Sequence, residues 1–101
     1  MIIYNVTVKV DSSIAKEWLQ WMQEIHIPEV MATGYFNNYK ILHLLEIDEA
    51  EGPTYAIQYE AENLDDYNKY ISECATLLRQ KTFDKWGGKF VAFRTLMEVV
   101  H

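Results

Sequence analysis

The sequence predicts an α+β domain whose elements run strand–helix–strand–strand–helix–strand. Three observations carry that reading. Residues 2–10 alternate cleanly, apolar side chains filling one face and all but Ile3 of the other face being polar, as a half-buried strand requires. Two later stretches switch to helical spacing, and each is preceded by side chains suited to capping a helix. Between them lie two further β-rich runs joined by an acidic segment that ends in Gly52-Pro53.

In the first strand Ile2, Tyr4, Val6, Val8 and Val10 share one face, and Ile3, Asn5, Thr7 and Lys9 share the other. Asp11-Ser12-Ser13 then offers side-chain oxygens to the unpaired amides of a first helix. Its apolar stripe is Ile14, Trp18, Trp21, Met22 and Ile25, opposite Lys16, Gln20, Gln23 and Glu24. Pro28 ends or kinks this helix, because it lacks an amide and crowds the preceding turn. Residues 28–33 fit one extra turn stopped by Gly34. Residues 35–47 read as a long second strand, 48–53 as a hairpin connection with a solvated acidic tip, and 54–61 as a third strand. Asn63 caps a second helix, with Asp65 and Asp66 favoured in its first turn by the helix dipole. Its predicted buried stripe is Leu64, Tyr67, Ile71, Cys74, Ala75 and Leu78. Gly87-Gly88 breaks the chain, and residues 89–100 form the last strand. No linker or low-complexity tract interrupts residues 1–101, so the expectation is one domain.

Fifteen acidic against nine basic residues give a net charge of −6. That balance, with no basic run, argues against nucleic acid and anionic membranes as partners. Cys74 has no internal disulfide partner, the N-terminus lacks a signal-peptide pattern, and no stretch approaches a membrane span. The expected setting is cytoplasmic.

Two helices cover one face of a four-stranded antiparallel sheet, and the other face is polar where it meets water. Here Ile41, Leu45 and Ile47 are set against Leu42 and Leu44, and Val91, Phe93, Met97 and Val99 against Phe90, Ala92, Leu96 and Val100. Strands apolar on both faces predict burial on both, hence a homodimer formed through the open sheet face.

The segments Asn5-Val6-Thr7, Trp18-Leu19-Gln20-Trp21-Met22, His26-Ile27-Pro28-Glu29, Thr33-Gly34, Thr54-Tyr55-Ala56-Ile57-Gln58-Tyr59 and Phe90-Val91-Ala92-Phe93-Arg94-Thr95 span almost the whole chain. In them it resembles a bacterial family of short proteins known only as a domain of unknown function. That family is similar to the dimeric α+β-barrel superfamily, which includes antibiotic-biosynthesis monooxygenases, EthD-type proteins and muconolactone isomerase. The resemblance implies a ferredoxin-like βαββαβ fold with two sheets face to face across a dimer. It implies no activity, since one fold hosts many chemistries.

His26 is the leading candidate for chemistry. On a regular helix it lies ~40° from Met22, at the edge of the apolar stripe, where an imidazole acts as acid or base near neutral pH. The alternative is a structural histidine bonded to a carbonyl that Pro28 frees. Arg94, inside an apolar strand, is the second. It either grips a ligand carboxylate or enolate, or pairs with an acid such as Glu29 or Glu60, or lies near the strand's edge. Asn5, Thr7, Gln58 and Thr95 are strand polars that could line a cavity, with Trp18, Trp21, Phe36 and Tyr59 as its rings. The tryptophans also fit a plain core.

His26, His43 and His101 are too scattered for metal-ligand spacing, and neither a phosphate-binding glycine loop nor a nucleophile elbow is present. No cofactor is therefore expected. Three functions remain open: a dimer binding a small apolar or aromatic molecule, a cofactor-free oxygenase or isomerase, and a pure protein-interaction module.

Overall fold

The computed structural model describes residues 1–101. In chain order the elements are β1 (Ile2–Val10), α1 (Ala15–Trp21), a π turn (Met22–His26), α2 (Ile27–Ala32), β2 (Asn38–His43), β3 (Thr54–Ala61), α3 (Leu64–Tyr70), a second π turn (Ile71–Ala75), α4 (Thr76–Trp86) and β4 (Phe90–Glu98). The four strands form one antiparallel sheet in the order β2-β3-β1-β4. Each α–π–α run is one helical arm, and the two arms lie on the same face of the sheet. This is the βαββαβ architecture that the alternating pattern predicts.

The central strand follows its sequence pattern residue by residue. Ile2, Tyr4, Val8 and Val10 are buried beneath the arms, and Val6 packs against the same core. Tyr4 lies under a cluster of rings, with centroids 5.3 Å from Tyr67 and 6.0 Å from each of Phe36, Tyr59 and Tyr70. Phe36 meets Tyr70 edge-on at 4.9 Å. Such pairs each add roughly 0.5–1.5 kcal/mol beyond the area they bury. The sequence places Phe36 in a strand, yet it turns into this cluster, and β2 does not begin until Asn38. The strand also ends early, at His43, and Glu46 adopts a positive φ of 58°. Leu44 makes one last bond to β3, its amide donating to the Thr54 carbonyl at 3.0 Å, and Leu45 and Ile47 lie beyond the strand.

The helical arms correct the sequence reading in one consistent way. Pro28 neither ends nor sharply breaks the first arm. It cannot donate to the carbonyl of Glu24 and would crowd it in a regular helix. The chain instead widens to a π turn just upstream, where the Ile27 amide bonds to the Met22 carbonyl. The extra residue rephases everything after it. Ile25, expected in the buried stripe, is 46% exposed, while Ile27 and Val30 are the residues buried. The second arm widens likewise at residues 71–75; Ala75 and Leu78 are buried as expected, whereas Leu64, upstream of the widening, is 49% exposed and Tyr70 is buried in the core. No proline explains the second π turn.

Local signals at the ends hold in part. Asn63 accepts from the Asp66 amide at 2.9 Å, a helix N-cap. Gly34 and Gly87 take positive φ where the arms stop. Asp11 does not cap α1. It bonds the Ser13 amide and hydroxyl at 2.9 and 2.6 Å, ordering the turn before the helix.

The acidic segment 48–51 is not a free hairpin tip. Ser12 donates to the Glu51 carbonyl and Val10 to that of Pro53, both at 2.9 Å, clamping the connection to the end of β1. Gly52 allows this approach, since a Cβ there would lie 1.8 Å from the Val10 carbonyl oxygen at a φ of 143°. Gly52→Ala is expected to cost at least about 2 kcal/mol of stability. Gly88→Ala, where a Cβ meets nothing within 4 Å, stays within about 0.5 kcal/mol. Paired urea titrations measure both, and equal midpoints would remove the clamp from the stability argument.

Candidate functional site

Between the arms and the β4 side of the sheet lies a recess open to solvent at its mouth. Register decides which side chains face it. Val6 pairs with Ile57 on one side and Arg94 on the other, so these three form a row on the face beneath the arms. Tyr4, Tyr59 and Tyr70 make the ring wall, with Trp18, Met22 and Leu78 closing the interior. His26, Thr82, Arg79 and Arg94 are its polar members. No carboxylate lines it.

His26 reaches the recess because it ends the π turn of the first arm. Its ring stacks on Trp21 at 5.3 Å and 24°, and its Nδ1 lies 3.4 Å from the Thr82 hydroxyl on α4. The predicted bond to a carbonyl freed by Pro28 does not form, since the π turn absorbs the proline's demand. Burial lowers the imidazole from its ordinary 6.5 to about 4, with the Glu29 carboxylate opposing the shift and the Arg94 charge reinforcing it. His26 is therefore neutral at pH 7, a hydrogen-bonding group and a weak base. Glu29 itself is held by Lys81 at 2.9 Å.

Arg94 forms no ion pair with Glu29 or Glu60, and it is exposed rather than buried, because β4 is an edge strand. Of its sequence-based alternatives, the structural ion pair is not formed; Arg94 stands midway along β4, exposed on the outer strand of the sheet. Arg79, which the sequence reading passed over, also lines the recess and donates to the Tyr4 hydroxyl at 3.0 Å. A signal for it existed: Arg79 stands four residues after Ala75, beside the buried stripe of its helix. Burial, the dominant effect, pushes the Tyr70 and Tyr59 phenols far above their usual 10. Both remain protonated and able to donate.

The other predicted residues divide between the two sheet faces. Tyr59 lies in the recess, and Trp21 stands behind His26, with its other contact edge-on to Trp86 at 6.0 Å. Asn5 and Gln58 are not part of this site. They pair across β1 and β3, one residue out of phase with Val6 and Ile57, and so point to the open face. There the Gln58 amide donates to Asn5 at 3.3 Å and Asn5 donates to the Thr7 hydroxyl at 2.9 Å. Thr95 pairs with Asn5 and shares that face. The open face is thus polar along its centre and apolar along β4, where Phe93 and Val91 are 65% and 53% exposed.

The lowered His26 pKa has a consequence for stability. The folded state disfavours the charged imidazole, so its contribution is complete above pH ~6.5 and is lost as pH falls towards 4. The shift is worth up to about 3 kcal/mol. Urea titrations at pH 7 and pH 4.5 should show wild type losing more stability than His26→Gln, which lacks the titrating group. Parallel losses would show that His26 titrates normally.

No curated protein matches the chain. Solved structures share its fold at identities too low to indicate more. A dimeric ferredoxin-like protein from an uncultured marine organism superposes with a TM-score of 0.75 at 8% identity, covering 99% of this chain and 95% of that one. An EthD-family protein of Bacillus halodurans C-125 gives 0.68 at 8% identity over 99% and 100% of the chains. An antibiotic biosynthesis monooxygenase gives 0.70 at 12% identity over 100% of both. The fold is ferredoxin-like, and residues 1–100 match the family described as Domain of unknown function (DUF4286), to which this chain belongs.

Proposed function

We propose that the protein is a homodimer whose recess binds one small apolar or aromatic molecule. The recess itself carries this reading. Eleven of its fifteen lining residues are hydrophobic, and its few polar groups converge among rings, which is the make-up of a small-molecule pocket. A pure interaction module would leave that space without a use. A cofactor-free oxygenase or isomerase would need a proton acceptor, and an imidazole with a pKa of about 4 is a weak one. His26 and Tyr59 are therefore read as ligand-contacting groups, and Trp21 as the support that orients His26.

The dimer reading rests on Val91, Phe93 and Met97, which leave an apolar band along β4 on the open face. A second copy set against that face would cover the band and enclose the Asn5–Gln58–Thr7 network. A structure of the same fold is described as dimeric. The lone thiol of Cys74 suits a reducing, cytoplasmic setting.

Binding is tested by titrating benzyl alcohol, a neutral ring, against tryptophan fluorescence, since Trp18 lines the recess. A saturable change is expected in wild type and not in Ala92→Phe, whose ring would fill the space beside Arg94. Saturation unaffected by Ala92→Phe would place binding elsewhere. Sedimentation analysis tests the dimer: wild type should sediment at twice the chain mass, and Phe93→Glu as a folded monomer. A wild-type monomer at micromolar concentration would overturn it.

A further inference from the structure

The chain has two arginines, and both line the recess. They arrive from different elements, Arg79 from α4 and Arg94 from β4, some fifteen residues apart in sequence. Neither meets a carboxylate. All four ion pairs of the protein use lysine or histidine as the cation, although acids outnumber bases fifteen to nine. Arg79 has one side-chain bond, to the Tyr4 hydroxyl, and Arg94 has none. Both are exposed, so the two guanidinium groups line the recess from the solvent side, one on α4 and one on β4.

Taking the recess as a ring-binding site, we infer that its ligand is a small aromatic or alicyclic carboxylate, with its ring against Tyr4, Tyr59 and Tyr70 and its carboxylate held by Arg79 and Arg94. The chemistry favours a carboxylate over other anions. A guanidinium presents two parallel N–H donors that match a carboxylate edge, and two guanidiniums can divide its oxygens between them. Inorganic phosphate would meet the same forks but has no apolar body to set against the eleven hydrophobic lining residues, which a ring carboxylate has. The neutral state of His26 leaves it free to donate to the same anion without a charge of its own. The apolar interior excludes a ligand that is charged throughout, because nothing beyond the mouth would compensate a second charge.

Affinity comparisons test this inference separately from the ring-binding reading. Benzoate and benzyl alcohol share a ring and differ in the anion. Benzoate should bind about tenfold or more tightly, and Arg94→Gln should lower its affinity by about tenfold with little change for benzyl alcohol. Arg79→Gln should act similarly. Because it also removes the Tyr4 bond, Arg79→Lys is run beside it, and should recover part of the affinity by restoring charge without the fork. Lys16→Gln, which removes one positive charge away from the recess, should leave benzoate unaffected. If benzyl alcohol binds as well as benzoate, the carboxylate assignment fails and the ring site stands. If inorganic phosphate displaces benzoate at equal concentration, the anion class is wrong. If neither ring binds, the ring-binding reading itself fails.

Discussion

Tyr4 is the residue on which core, recess and charge all depend. Its ring projects from the third residue of β1, an inner strand, and meets Phe36, Tyr59, Tyr67 and Tyr70, which come from the first arm's exit, β3 and α3. Its hydroxyl accepts from Arg79 on α4. One side chain therefore touches both the packing that closes the sheet against the second arm and the group that gives the recess its polarity. A phenol suits this position because one end is apolar and the other finds a donor at the boundary with solvent. Phenylalanine there would keep the ring contacts but release Arg79, whose orientation is fixed by no other bond.

The division of labour between the two kinds of cation follows from desolvation. Lysine is a compact, strongly hydrated charge, and the lysines in ion pairs remain well exposed, as in Lys9–Glu51 and Lys69–Asp65. Exposed pairs of this kind contribute little, typically 0–1 kcal/mol. Guanidinium is more weakly hydrated and stacks against rings, so it can stand at the rim of an aromatic wall at lower cost. An acidic side chain of the protein placed at that rim would pair with the guanidinium in place of a ligand. The acids of this chain are kept out of the recess, and Glu29, the nearest in effect to His26, is engaged by Lys81.

What the sequence made legible was whatever depended on near neighbours. β1 and β3 could be bounded by alternation, the Asn63 cap by its position before Asp65 and Asp66, and the arm ends by Gly34 and Gly87. His26, Tyr59 and Arg94 were singled out by residue type in an apolar setting; register brings Tyr59 and Arg94 to the recess, and the π turn brings His26. Asn5 and Gln58 were grouped with them because each is a polar residue in a strand. Alternation already set Asn5 on the face opposite Val6, and the cross-strand register adds that Gln58 joins Asn5 there while Arg94 joins Val6. The π turns were not legible, since a widened turn leaves no composition signal, and they alone decide that Ile27 rather than Ile25 enters the core. The short β2 was hidden for a related reason. Phe36 looks like a strand residue locally, and the pull of the ring cluster is long-range.

The charge balance of the chain bears on how such a recess would work. With a net charge of −6, the protein as a whole repels an anion at a distance. At physiological ionic strength that field decays over about 8 Å, so an approaching anion is repelled only weakly until it nears the surface. At the recess mouth the local field is set instead by Arg79 and Arg94, beside low-dielectric ring walls that weaken screening. Selection by charge would therefore act at close range, after encounter, and so in the rate of release more than in the rate of arrival. The neutral His26 fits the same arrangement. Burial holds it uncharged, so the two arginines are the only full charges at the recess, and the anion they hold would meet no competing acid within it.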